Sequence, residues 1–371
     1  MDACPVAPRR VAPCSILLAP HKTMPSRQPL SSTFITRPEQ LAHALAIPVE
    51  PLQAVHAHYP LRISAYYLQL IKQHGLPLWK QAVPDLKELN DSSGLVDPLD
   101  EENLSPVPCL VHKYPDRALF LVCSECAMYC RFCTRKRKVG KPDMVINDQT
   151  IAAGLEYLAR TPAITDVLVS GGDPFMLPLS RLEQILKALR AIPSVVTIRI
   201  GTRVPCTLPS RVTLRLAAML KKYHPLYINT HFNHPAEITP EAALACGRLA
   251  DAGIPLGCQT VLLRGVNDSP ETIKMLMRQL LRIRVKPYYL FQADLTRGTS
   301  HFRTTIETGV DIMRQLIGHV SGMAVPTYAL DAPGGGGKIP LTPHYINSLG
   351  KTLEFTTYRH LPCSYPNEII P

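Results

Sequence analysis

Cys126, Cys130 and Cys133, in the string Cys126-Ala-Met-Tyr-Cys130-Arg-Phe-Cys133, are spaced C-x3-C-x2-C. Thiolates are the usual ligands of iron–sulfur clusters, and a [4Fe–4S] cube has four irons to satisfy. Three cysteines leave one iron open to a small molecule. Cys123 lies three residues upstream and allows a rival reading, a four-sulfur zinc site. Structural zinc sites usually come as two knuckles on a longer spacer, so four thiols in eleven residues would make a cramped tetrahedron. The cluster is the stronger reading. Gly171-Gly172, inside Ser170-Gly-Gly-Asp-Pro174, adds to it because glycine lets backbone approach a ligand closely, although an ordinary turn needs glycine equally.

A second signal is Asp331-Ala-Pro-Gly-Gly-Gly-Gly-Lys338-Ile. It is no phosphate-binding loop, since G-x4-G-K-[ST] would need glycine at Ala332 and a hydroxyl at Ile339. Four glycines cost conformational entropy and call for a reason. One reason is a lysine that swings between two covalent partners, as an imine-forming lysine does when it yields an aldehyde cofactor to substrate. The alternative is a flexible surface loop.

Such residues need a scaffold, and the chain has a repeating one. Six short apolar runs, Ala118–Val122, Asp166–Val169, Val196–Ile200, Leu226–Asn229, Leu256–Leu263 and Pro287–Phe291, alternate with amphipathic stretches such as Arg181–Leu189 and Thr272–Leu281. Strand–helix alternation at this spacing implies parallel strands with right-handed crossovers, either a partial TIM-like barrel or an open doubly wound sheet. The predicted strands end in residues a scaffold does not need: the cysteines, Gly171 and Gly172, Arg203, His231 with Asn233, and Asp294 after Gln292. Barrels of this kind build their sites at the carboxyl ends of their strands.

Composition sets outer limits. With 371 residues, 19% charged and 46% hydrophobic, the chain is long enough for a large core and too apolar to be wholly disordered. No run approaches the roughly 18 apolar residues of a membrane span. The start lacks a secretory h-region, and Met24 is an alternative initiator. Eleven cysteines suit metal better than a disulfide framework, and a cytoplasmic enzyme is expected. The net charge of +11 is spread out except for Arg135-Lys-Arg-Lys138, which fits a solvated face or an anionic ligand equally well. Four regions are expected: a disordered proline-rich tail (1–38), a helical region (39–112) closed by a polar linker with Pro98 and Pro106, the barrel (113–330), and a C-terminal segment with Lys338 (331–371).

Over roughly Glu39 to Arg359 the chain resembles the lysine 2,3-aminomutase family of the radical S-adenosylmethionine superfamily. The resemblance lies in the cysteine string through Arg135, Tyr114-Pro-Asp-Arg117, Arg199-Ile-Gly-Thr-Arg203, Asn229–Pro235, Val261–Asp268 and Asp331–Lys338. It implies an α/β fold, a partial (βα)6 barrel, and three cofactors: a [4Fe–4S] cluster on Cys126, Cys130 and Cys133, S-adenosylmethionine, and pyridoxal phosphate on Lys338. Tyr114 and Arg117 would lie near the pyridoxal phosphate. Gly171, Gly172, Asp173, His231 and Gln259 would be further cofactor contacts. Arg135 would clamp a substrate carboxylate, while Asp294 and Asp331 bind the ε-ammonium of L-lysine. Elementary chemistry agrees, since a guanidinium suits a planar carboxylate and paired acids suit a cation. Asp294 could instead cap a helix at Leu295.

The implied reaction moves the α-amino group of lysine to its β-carbon. It needs a reducing donor such as flavodoxin or ferredoxin, and a homo-oligomer is expected. Longer family members carry zinc on a cysteine after the Val-Asn-Asp segment and on a C-terminal cysteine group. Here Ser269 and a lone Cys363 stand in those regions, so zinc is not expected. The neighbouring alternatives are the same chemistry on glutamate, which two acids at the side-chain end disfavour, or β-lysine supplied for translation-factor modification. A zinc-stabilised RNA-binding protein is the remote one, and it leaves Lys338 unexplained.

Overall fold

The computed structural model describes residues 34–368. In chain order the elements are β1 (Phe34–Ile35), α1 (Pro38–Leu45), α2 (Glu50–His56), β2 (Ile63–Ser64), α3 (Ala65–His74), α4 (Leu76–Ala82), β3 (Leu110–Tyr114), β4 (Arg117–Cys123), α5 (Asp148–Arg160), β5 (Asp166–Gly171), α6 (Leu179–Arg190), β6 (Thr197–Gly201), α7 (Val204–Thr207), α8 (Leu214–Leu220), β7 (Leu226–Thr230), α9 (Pro240–Asp251), β8 (Leu256–Leu262), α10 (Pro270–Arg282), β9 (Lys286–Gln292), α11 (Ile306–Leu316), β10 (Thr327–Ala332), β11 (Gly337–Pro340), β12 (Ile346–Leu349), β13 (Thr352–Thr356) and β14 (Pro362–Pro366).

The six apolar runs fall on β4 to β9, and the sequence logic is visible in each. In β5, Val167 and Val169 are fully buried against the helix layer, while Asp166, Leu168 and Ser170 face an interior cavity. That is the period-2 sorting of a strand with two different faces. In α6, Leu182, Ile185, Leu186 and Leu189 are buried at helical spacing, as are Ile273, Leu276, Met277 and Leu280 in α10. Side-chain caps set the starts of α5 (Asn147), α8 (Thr213), α9 (Thr239), α10 (Ser269) and α11 (Thr305), each accepting from a backbone N–H three residues on.

The main sheet has nine strands in the order β11-β10-β9-β8-β7-β6-β5-β4-β3. β4 to β10 run parallel, with β3 and β11 antiparallel at the two edges. The order never reverses, so successive right-handed crossovers keep the helices on one face and the sheet curls into a partial barrel. An open doubly wound sheet needs a reversal of strand order and is excluded. The two edges meet through side chains: Lys113 Nζ lies 3.5 Å from Asp331, and the Lys338 backbone N–H donates to the Tyr114 hydroxyl at 3.1 Å.

Two features depart from the sequence reading. Residues 1–33 of the expected tail lie outside the described residues, and 34–38 do not continue it, because β1 pairs with β2 and α1 begins at Pro38. The polar linker with Pro98 and Pro106 is a strap across the carboxyl end of the barrel. The Leu95 N–H donates to Leu295 O (2.7 Å) and the Arg297 N–H to Leu95 O (2.9 Å). Asp91 accepts from the backbone of Gly298, Thr299 and Ser300. Further on, the Gly334 N–H donates to Pro98 O. A separate antiparallel sheet, β12-β13-β14, follows the barrel. Among the described residues no helix is long and apolar enough to cross a membrane.

Candidate active site

A cavity of about 620 Å³ runs from the carboxyl-end loops down the barrel interior toward Asp166, whose carboxylate accepts from Arg199 at 2.8 Å. Its walls include all fourteen residues expected at the site: Tyr114, Arg117, Cys126, Cys130, Cys133, Arg135, Gly171, Gly172, Asp173, His231, Gln259, Asp294, Asp331 and Lys338.

The cysteine loop follows β4 and is held from outside the barrel. The Tyr129 N–H donates to Arg62 O and the Arg131 N–H to Gln81 O, both at 2.9 Å. Burial raises the Cys126 thiol and pushes Cys133 up to about 11, so binding iron there must displace protons. Cys123 is turned away: its thiol donates to Glu125 O at 3.3 Å, and it does not line the cavity. Among the described residues no three His, Cys, Asp or Glu side chains close on one metal ion. Three thiols spread along one loop suit separate corners of a cube, and the donor set fits a cluster with an open iron.

The glycine pair has a packing explanation the sequence did not carry. Gly171 has φ +123°, and a Cβ there would sit 2.3 Å from Cys123 O. At Gly172 the clash would be 2.4 Å from Glu125 O. The pair lets the β5 loop lie on the cysteine-loop backbone, tied by the Asp173 N–H to Glu125 O at 2.7 Å. The Asp173 carboxylate is itself consumed by the fold. It accepts from the backbone of Phe175, Arg203 and Val204 and from the Thr202 hydroxyl, filling its roughly four lone-pair sites. Asp173 therefore lines the cavity as a tie between loops, with no lone pair left for a cofactor.

The basic run is neutralised within the chain rather than solvated. Lys136 donates to Glu88 at 2.5 Å and lies over the Tyr59 ring, Arg137 pairs with Asp97 at 2.9 Å, and Lys138 with Glu102 at 3.1 Å. Burial brings Lys136 down to about 8, opposed by Glu88. Arg135 donates through Nε and Nη2 to both oxygens of Glu101, at 3.1 and 2.6 Å. That side-on fork leaves Nη1 uncommitted among the described residues.

At the other end, Lys338 faces Asp331 across the β10–β11 hairpin, with Nζ 3.0 and 3.3 Å from its carboxylate oxygens. Gly334, Gly335 and Gly337 have φ of 66°, 78° and 91°. Left-handed turn geometry thus accounts for three of the four glycines, without any appeal to a swinging lysine. Lys338 is no surface-loop residue, because its ammonium lines the cavity, 5.3 Å from the Phe291 ring. The Arg117 guanidinium stacks on the Tyr114 ring at 3.8 Å. Asp294 is pushed up to about 7, by burial first and the nearby Asp331 second. It caps no helix, since Leu295 lies in the loop that pairs with the strap. His231 donates from Nε2 to Asn233 Oδ1 at 2.9 Å, and burial, then the nearby Arg203, lowers it to about 3. It is neutral at pH 7.

Sequence reasoning missed Glu101 and Lys113, which line the cavity. Glu101 sits in a polar stretch where one acid looks like any other. Lys113 adjoins the quoted Tyr114 segment, a signal that could have found it.

Residues 121–277 match the radical SAM superfamily, and residues 313–357 match the lysine-2,3-aminomutase family. The L-lysine 2,3-aminomutase of Fusobacterium nucleatum is 52% identical over 291 residues, 78% of this chain and 68% of that protein. That of Clostridium subterminale is 50% identical, covering 78% of this chain and 70% of that protein. The glutamate 2,3-aminomutase of Clostridioides difficile is 46% identical over 303 residues, 81% and 72% of the two chains. The barrel and its cysteine loop are those of a radical S-adenosylmethionine enzyme, which works with a [4Fe–4S] cluster. Within that superfamily the chain belongs to the lysine 2,3-aminomutase family, and it is an isomerase.

Proposed function

We propose that this enzyme moves the α-amino group of L-lysine to the β-carbon, giving β-lysine, with pyridoxal phosphate as its third cofactor. When bound, the cluster with S-adenosylmethionine supplies a hydrogen-abstracting radical, and pyridoxal phosphate supplies an aldehyde and a ring that spreads unpaired spin. Cys126, Cys130 and Cys133 would hold the cluster, and Lys338 the aldehyde.

What carries the choice of lysine is the pair of half-buried acids, Asp294 and Asp331, lining one cavity. Asp331 helps to raise the Asp294 carboxyl; a ligand cation between two neighbouring carboxylates relieves their repulsion, whereas a glutamate side chain would add a third negative charge. Arg135 would take the substrate carboxylate on its free Nη1 edge, with Glu101 fixing the guanidinium plane. Asp331 would have two tasks: it accepts from Lys338 Nζ at 3.0 and 3.3 Å, and its remaining lone pairs would accept from the substrate ammonium. A low-potential one-electron donor of the flavodoxin or ferredoxin class would serve the cluster.

The test is an anaerobic assay of the reconstituted protein with labelled L-lysine and L-glutamate, alongside iron, sulfide and pyridoxal content. β-Lysine formation is expected, and Lys338→Ala should lose both pyridoxal retention and turnover. Turnover of glutamate but not lysine would overturn the reading.

A further inference from the structure

Arg203 sits at the end of β6 and is 9% exposed. Its Nη1 donates to Cys130 Sγ at 2.8 Å. Among the described residues, no charged side chain donates to Cys126 or Cys133 in this way. The guanidinium is held rigidly. Nη2 donates to Gln81 Oε1 (2.6 Å) and Glu237 Oε1 (2.9 Å), and the backbone N–H donates to Asp173. Glu237 is fully buried and also accepts from the Tyr67 hydroxyl and from the backbone of Asn233 and His234. Gln81 closes the circuit, because its backbone oxygen takes the Arg131 N–H, one residue past Cys130. One buried network therefore fixes both the donor and the loop that carries its sulfur. The Phe132 ring lies 5.1 Å from the guanidinium carbon on the cysteine-loop side.

Burying this ion pair costs solvation that apolar residues of similar size would not lose, so structure alone is a weak reason for it. The Nε atom is buried without a partner, which adds to that cost. The contact with sulfur supplies a reason. Reducing a [4Fe–4S] cluster by one electron spreads added negative charge over its sulfurs. An N–H bond from a cation to a ligand sulfur favours that reduced form, and such bonds are among the settings of cluster potential.

We propose that Arg203 is a positioning residue for the cluster, holding the Cys130 sulfur through an N–H···S bond and thereby raising the cluster's reduction potential. The proposal rests on Cys130 being a cluster ligand, which iron and sulfide content of the parent protein tests separately. Lysine cannot replace the forked donor, because its single ammonium cannot reach Cys130, Gln81 and Glu237 from one plane.

The experiment is an EPR-monitored redox titration of the anaerobically reconstituted full chain, with dithionite or titanium(III) citrate as reductant and no S-adenosylmethionine added. The variants are Arg203→Lys, Arg203→Met and the double Arg203→Met/Glu237→Gln, the last leaving no buried charge unpaired. At parent iron content, the double variant should be reduced about tenfold less at a fixed ambient potential, a shift of ~59 mV to more negative values for one electron. Arg203→Met should shift further and Arg203→Lys less. A purely structural Arg203 would lower melting temperature or iron content and leave the midpoint unmoved. An unchanged midpoint in the double variant overturns the proposal. So does loss of the cluster from all three variants, which would make Arg203 a folding residue.

Discussion

Asp294 shows how a single side chain ties the site to pH. Its carboxyl is held near pH 7, well above the usual range near 3.8, by burial and by Asp331. A carboxyl raised on folding contributes stability fully below its unfolded value and loses it as pH rises through the folded one. The protein without substrate should therefore lose melting temperature between about pH 4 and 7 and level off above that, and Asp294→Asn should flatten that loss, as differential scanning fluorimetry would show. A cationic substrate end reverses the preference, because it favours the ionised acid. KM for lysine should fall as pH rises through about 7, with proton release detectable by calorimetry in two buffers. Asp294→Asn should raise KM about 10- to 100-fold, the range expected for losing one charge-assisted hydrogen bond of about 1.5–3 kcal/mol. A pH-independent KM in the parent enzyme would remove the substrate role of Asp294.

The strap between α4 and β3 is the element on which the cysteine loop depends. Glu88, 1% exposed, accepts from Arg131 Nε and Nη2 and from Lys136 Nζ on either side of Cys133. Removing its charge strands two buried cations, so Glu88→Ala should cost about 3–5 kcal/mol. Urea unfolding would read that loss, and iron content should fall in parallel. The neighbouring contact makes a sharper test. Gly172→Ala puts a methyl 2.4 Å from Glu125 O, which is backbone and cannot swing aside. The cysteine loop must then shift, and iron per chain should drop while far-UV circular dichroism stays near the parent. Retention of a full cluster would show that the two loops tolerate separation.

Over the whole molecule the decisive event is the approach of the two sheet edges. β3 and β11 lie at opposite ends of the strand order, yet Tyr114 and Lys113 on β3 touch Lys338 on β11 and Asp331 on the adjoining β10. Tyr114→Phe removes the acceptor for the Lys338 backbone N–H, a loss of about 1–3 kcal/mol if that group stays unpaired. Hydrogen exchange at the Lys338 amide should quicken relative to amides in β6 and β7. Equal protection would mean that the edges are held by other contacts.

Strand and helix periodicity, local in the chain, already marked the six central runs as the core of a parallel sheet, and left its closure into a partial barrel or its opening as a doubly wound sheet undecided. Local spacing marked the three cysteines in the same way, because a cluster-binding loop takes its ligands from one short segment. Contacts between distant segments left no such mark. Asp173 looked like a cofactor contact until Thr202, Arg203 and Val204 were seen to fill its lone pairs. The acids of the strap looked like linker residues until they met the basic run. Lys338 and Tyr114 are 224 residues apart, and only closure of the barrel brings them together. Sequence by itself determined which residues could do chemistry and which elements would carry them. Tertiary structure decided which of those groups remain free, because a side chain's partners are chosen by packing across the fold rather than by its neighbours in the chain.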